Sequence, residues 1–91
     1  MAEEKSDELH VNMDHAMPRL KRAYGQLAGV MNMIESDRDC SDVLTQLAAV
    51  SKAIDRAAFS IISSGLEQCF INPESTEQDR ARLEKLFHAF A

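Results

Sequence analysis

The chain has 91 residues, nearly half of them apolar, with ten Lys and Arg against fifteen Asp and Glu for a net charge of −5. That length is one domain, and three Gly, two Pro and no Trp among many Ala, Leu, Glu, Gln and Met favour helix throughout. No apolar run reaches 18 residues and the start is acidic, which excludes a spanning helix or a basic secretory leader and points to a soluble, cytoplasmic protein.

Residues 1–13 are polar, acidic and aperiodic, and read as a flexible tail ahead of a single helical domain over 14–91. The first helix is expected over about 15–36. Met17, Leu20, Tyr24, Leu27, Met31 and Ile34 recur at alternating spacings of three and four, an a/d seam held for nearly three heptads. Pro18 fits its first turn, where a missing N–H is harmless. Gly25 and Gly29, four apart, either admit a closely approaching backbone or simply weaken the helix. Ser36-Asp37-Arg38-Asp39 is a polar turn.

The second helix is expected over about 40–70, with Asp39 or Ser41 as N-cap. One apolar stripe runs Val43, Leu47, Val50, Ile54, Ala58, Ile61, and another Leu44, Ala48, Phe59, Ile62, Leu66, Cys69. Two apolar faces make this the central element, packed on both sides. Gly65 is expected to loosen its last turn and Asn72-Pro73 to end it. Ser75-Thr76-Glu77-Gln78 reads as a capping box opening a third helix over about 75–90, which presents Leu83, Leu86, Phe87 and Phe90. The expected fold is all-α, with three helices per subunit. A subunit of this size has a marginal core, and oligomerisation would supply the missing burial.

Cys40 and Cys69 stand 29 positions apart on one helix. Its rise separates them by roughly 40 Å, whereas a disulfide needs Cα atoms within about 7 Å. They cannot meet inside one chain, but a head-to-tail pair of these helices would set Cys40 of one chain beside Cys69 of another. Cys40, in the first turn, has the helix N-terminus to favour an anionic sulfur, making it the better nucleophile and soft-metal ligand. Cys69 lies on an apolar stripe in a stretch with little positive charge. Both also read as small buried hydrophobes. Cytoplasmic cysteines point to metal binding, redox chemistry or packing.

His10, His15 and His88 lie more than a turn from either cysteine, so no local Cys–His metal spacing exists. The charge is unevenly spread. Residues 1–15 carry one Lys against five acids, residues 16–60 six basic against five acidic side chains, and residues 61–91 three against five. A nucleic-acid surface would have to be clustered in the middle. Arg19 pairs with Arg22 and Lys52 with Arg56 at helical spacing, which also suits a solvated face with Asp55 as a salt-bridge partner. No helix-turn-helix, zinc finger or basic zipper is present. Neither is a phosphate loop, a nucleophile elbow or an HExxH, so nothing suggests an enzyme.

The runs Arg19-Leu20-Lys21-Arg22, Gly25-Gln26-Leu27-Ala28-Gly29 and Asp39-Cys40-Ser41-Asp42-Val43-Leu44-Thr45-Gln46-Leu47, with Cys69, resemble the CsoR/RcnR family of all-helical bacterial repressors. The resemblance covers roughly residues 15–70. It implies an antiparallel dimer with a four-helix core, two dimers forming a tetramer, and a sensing site between Cys40 of one subunit and Cys69 of another. It implies operator DNA as partner, contacted by basic residues matching Arg19, Arg22 and Arg56, with Lys21 and Lys52 on the same basic segments. Clustered cations suffice for phosphate contacts despite the acidic total.

Two departures stand out. Copper-sensing members carry a histidine four residues before the second cysteine; here that position is Gly65. Ala28 stands where relatives often have arginine. Two cysteines without the histidine resemble the persulfide-sensing, CstR-like branch. The expected function is therefore a repressor of sulfide-detoxification genes with no metal and no other cofactor, induced by persulfide or polysulfide. The Cys40 thiolate would attack a sulfane sulfur and Cys69 of a neighbouring subunit would resolve the product into a di-, tri- or tetrasulfide bridge. The alternative is a Cu(I)-responsive repressor of copper efflux in which Cys40 and Cys69 bind metal with a third ligand from elsewhere, such as His10.

Overall fold

The structure, a computed structural model, describes residues 10–71 and 76–91. It holds three helices, α1 (Ala16–Glu35), α2 (Cys40–Ile71) and α3 (Glu77–Phe90). α2 is central, with α1 and α3 packed against it. Both run antiparallel to it. Val11 approaches Gly65, Asn12 bonds Ser64 and His15 bonds Ser60, so position numbers rise along one segment as they fall along α2. The same holds for α3, where Phe87 stacks on Phe59 with ring centroids 5.1 Å apart and Leu83 meets Gly65. No described helix is long and apolar enough to cross a membrane.

The turn between α1 and α2 is a Schellman motif. Asp37 takes the left-handed conformation at φ 62°, Arg38 N–H donates to the Met33 carbonyl at 3.0 Å and Asp37 N–H to that of Ile34 at 3.1 Å. These bonds satisfy carbonyls that a helix end leaves open. Asp39 then caps α2: its Oδ2 accepts from Ser41 N–H at 3.0 Å, and its carbonyl accepts from Val43 N–H at 3.1 Å. Of the two expected caps it is Asp39, which leaves Cys40 as the first helical residue.

The N-cap of α3 lies one residue later than expected, and the helix itself begins at Glu77. Thr76 is the N-cap, its hydroxyl accepting from Asp79 N–H at 3.0 Å while the Asp79 carboxylate accepts from Thr76 N–H at 3.4 Å. The box is Thr76–Asp79 instead of Ser75–Gln78. An acid at the fourth position closes it as an amide would, and it adds charge at the positive helix end. Ser75 and the expected stop at Asn72-Pro73 lie outside the described residues.

What packs α1 onto α2 differs from the visible seam. The buried residues of α1 are Ala16, Ala23 and Val30, seven apart, and they meet an α2 face that buries Val50 and Ala57. Small side chains let the two backbones approach closely. Met17, Leu20, Tyr24, Leu27, Met31 and Ile34 stay exposed on the protomer, Tyr24 at 77%. Leu44, Leu47 and Ile54 of α2 are exposed as well. The heptad reading found a real apolar face, but that face has no partner among the described residues.

Residues 1–9 of the expected tail lie outside the described residues. Residues 10–13 are placed on the domain: Asn12 accepts a hydrogen bond from Ser64 Oγ at 3.4 Å, and Val11 is half-buried beside Gly65. Gly65 itself is buried and interrupts nothing, since α2 runs on to Ile71. It is a notch that receives Leu83.

Candidate DNA-binding groove and thiol sites

α1 and α2 together build one strongly basic groove. Arg19, Arg22 and Gln26 succeed one another on a face of α1 at spacings of three and four. Ala49, Lys52, Ala53 and Arg56 do the same on α2. The antiparallel register brings these two faces together around an open groove of about 300 Å³. The alanines keep its floor shallow and the four long cations rise around it. None of the four is in an ion pair among the described residues. The pairs seen there are Arg38–Asp42, Arg80–Glu77 and Arg82–Asp79. Asp55 leaves Lys52 and Arg56 free, so the salt-bridged solvated face weighed from the sequence is not what forms. Four uncompensated cations in one concavity focus a positive potential despite the overall charge.

Lys21 is exposed but does not line this groove. It sits between Arg19 and Arg22 on a different side of α1, as the helical period demands.

The thiols lie at the two ends of α2. Cys40 is exposed and Cys69 half-buried, and the 29-residue rise between them is about 43 Å. Cys69 sits in a recess of about 130 Å³ with Phe70, Thr76, Glu77 and Arg80. α3 folds back and brings Arg80 into the recess, but its charge arrives together with that of Glu77, so the surroundings of Cys69 gain no net positive charge. Arg80 pairs with Glu77 and lies over the Phe70 ring, 5.8 Å from its centroid. Sequence distance hid this residue, since it comes from the next helix.

No group of three or more His, Cys, Asp or Glu that could hold a metal occurs among the described residues. Position 65 supplies no donor and has no room for one as packed. A Cβ there would lie 3.0 Å from Leu83 Cδ1 and 3.3 Å from Val11 Cγ1. His15 is engaged elsewhere, its Nε2–H donating to the Ser60 carbonyl at 2.9 Å. His10 is exposed on the segment that crosses α2, and His88 is exposed in the last turn of α3. The two thiols, one at each end of α2, are soft donors and suit Cu(I) better than any hard divalent ion. They can share an ion only between chains.

The model of a family described as metal-sensitive transcriptional repressors matches residues 12–91. The chain is similar to the copper-sensing transcriptional repressor CsoR of Mycobacterium tuberculosis, 36% identical over 84 residues, covering 92% of this chain and 71% of the relative. It is 31% identical over 77 residues to the copper-sensing CsoR of Bacillus subtilis, covering 85% and 76%. It is also 41% identical over 56 residues to the copper-sensing repressor RicR of Mycobacterium tuberculosis, covering 62% and 58%. These relatives overturn the expectation of a protein without metal: the proteins this chain matches are copper sensors, and its two thiols are the right kind of ligand.

Proposed function

The chain belongs to the metal-sensitive transcriptional repressor family, and from that premise we propose that it holds operator DNA along the Arg19–Arg56 groove and lets go when Cu(I) joins Cys40 of one subunit to Cys69 of another. The observation that carries this reading is the unpartnered apolar surface of the protomer. Met17, Leu20, Tyr24, Leu27, Met31 and Ile34 are all exposed, and Leu27, Leu47, Val50 and Ile54 line an open groove of about 230 Å³ with Ser51 and Asp55. An exposed heptad seam on a two-helix hairpin is covered by the same seam of a second copy. In an antiparallel pair the ends of α2 exchange places, and each Cys40 faces the partner's Cys69 end.

Bound Cu(I) supplies a soft electrophilic centre that two thiolates satisfy. The protein does the rest. Asp39 fixes the first turn of α2 and with it the position of Cys40, while Leu83 in the Gly65 notch and Arg80 beside Phe70 hold α3 over Cys69. Tying the two ends together favours one arrangement of subunits over another. A tenfold loss of operator affinity needs only about 1.4 kcal/mol of difference between them. The protein acts in the cytoplasm, where such thiols stay reduced.

Reactive sulfur, favoured from the sequence alone, is the second reading. The closed space at Gly65 supports it, because two thiols without a third ligand are enough for sulfur chemistry. The Cys40 thiolate attacks the outer sulfur of a persulfide and displaces the donor's thiolate. The partner's thiolate then attacks the inner sulfur, forming a disulfide and releasing hydrosulfide.

The test uses reduced protein on DNA from its own promoter, titrated without oxygen with Cu(I) or with an organic persulfide, read by anisotropy and intact mass. Release at one Cu(I) per thiol pair supports copper sensing. Release only by persulfide, with cross-linked chains, overturns it in favour of sulfur. Cys40→Ser and Cys69→Ser proteins should each fail to respond, and a mixture of the two should respond in part, because intact pairs form between chains.

A further inference from the structure

The basic groove contains one side chain that its cations do not explain. Gln26 lines it one turn beyond Arg22 on the same face of α1, with Ala49, Lys52, Ala53 and Arg56 of α2 as the other lining residues, and it is exposed. No described residue bonds its amide, although polar groups elsewhere on these helices are engaged: Thr45 Oγ1 donates to Ser41, Ser60 Oγ to Ala57 and His15 to Ser60. Packing does not account for it either, because its groove neighbours besides the cations are Ala49 and Ala53, whose short side chains leave the space above them open.

The chemistry of the groove therefore divides in two. Lys and Arg bind phosphate wherever it runs, and contacts of that kind carry no sequence information. A free carboxamide presents a donor and an acceptor side by side. That pattern matches the N6 and N7 edge of adenine in the major groove and no other base equally well. Among the groove's charged walls, Gln26 is the one neutral group with both. Resting on the repressor reading above, we infer that Gln26 is the specificity-determining residue of this face. Arg19, Arg22, Lys52 and Arg56 set the backbone while the Gln26 amide reads a base edge, with adenine as its target.

The experiment selects bound sequences from a random duplex library with the full-length reduced protein and with Gln26→Met, which keeps side-chain length and helix propensity but removes the amide. Arg56→Ala runs beside them, and circular dichroism confirms that all three fold. The wild type should return a consensus that includes adenine at a symmetric pair of positions. Gln26→Met should lose the preference at those positions alone, with affinity for the consensus falling about 5- to 150-fold. Its affinity for scrambled DNA and its salt dependence should not move. Arg56→Ala should weaken both DNAs and flatten the salt dependence. If Arg56→Ala behaves so while Gln26→Met keeps the full consensus, or weakens consensus and scrambled DNA equally, the Gln26 assignment is overturned and the groove stands. If the wild type returns no consensus and Arg56→Ala binds as well as wild type, the groove itself is not the DNA face.

Discussion

Gly65→His restores a potential ligand at the price of packing, and its cost can be worked from the structure. A Cβ at position 65 would meet Leu83 Cδ1 at 3.0 Å, Val11 Cγ1 at 3.3 Å and Leu83 Cδ2 at 3.4 Å. A methyl alone asks the tip of Leu83 to yield slightly, and the helix gains about 1 kcal/mol when Gly is replaced by Ala. Gly65→Ala is expected within about 1 kcal/mol of wild type. An imidazole must displace Leu83 or Val11 altogether, and overpacking of this kind costs about 1–3 kcal/mol. In a domain of this size Tm falls roughly 4–8 °C for each kcal/mol. Leu83→Ala alone empties a site that is 5% exposed and should cost about 2–5 kcal/mol. In the double variant the ring occupies the space that Leu83 vacates, so the two losses should combine to about 0.5–3 kcal/mol less than their sum. Urea titrations at one protomer concentration, needed because assembly contributes to stability, read all four values. A metal-free Gly65→His protein as stable as wild type, or strictly additive losses, would show that Leu83 is not seated in the notch.

Neutralising Arg19, Arg22, Lys52 or Arg56 one at a time should flatten the salt dependence of DNA binding by about one phosphate contact each, whereas Lys21→Ala should leave it unchanged; equal effects at Lys21 would displace the groove as the contact surface. Thr76→Ala should cost about 1 kcal/mol and fray the start of α3, seen as lost ellipticity and earlier thermal unfolding. Asp37→Gly should stabilise by about 1 kcal/mol, since glycine takes the left-handed conformation without steric penalty; a lower Tm would contradict the cap. The hydrogen bond from Arg82, with that from the Thr76 backbone, holds the Asp79 carboxyl below its ordinary value. Its small contribution is complete above the unfolded carboxylate value and is lost as pH falls through the lower folded one. Asp79→Asn should therefore flatten the acid limb of a Tm-against-pH curve below about pH 4, and parallel curves would exclude the effect.

Helix number and extent were legible because apolar period and polar turns agree along the whole chain. The separation of Cys40 and Cys69 followed from helical rise alone, and the two cation pairs foretold a basic face. What stayed hidden has physical causes. Periodicity locates an apolar face but not its partner, so the Met17–Ile34 seam was visible and its orientation was not. The stripe that joins α1 to α2, Ala16, Ala23 and Val30, is too small to stand out among larger apolar residues. Ser75 and Thr76 are each followed three residues later by a side chain able to close a capping box, and only the backbone chooses between Gln78 and Asp79. Arg80 reaches Cys69 through a fold-back that no local window contains. Copper as against sulfur turns on position 65, where this chain has no donor, and a single sequence cannot weigh that gap against relatives that are copper sensors.

The alanine-lined joint between α1 and α2 has a consequence for dosage. A protomer hides mostly small side chains and leaves Tyr24, Met31, Ile34 and Leu44 in water, so a solitary subunit is a sticky intermediate rather than a dormant repressor. On the proposed assembly, dilution that separates the copies would cost the protomer stability along with operator binding. The supply of subunits would then set how far the promoter is occupied even before any inducer acts.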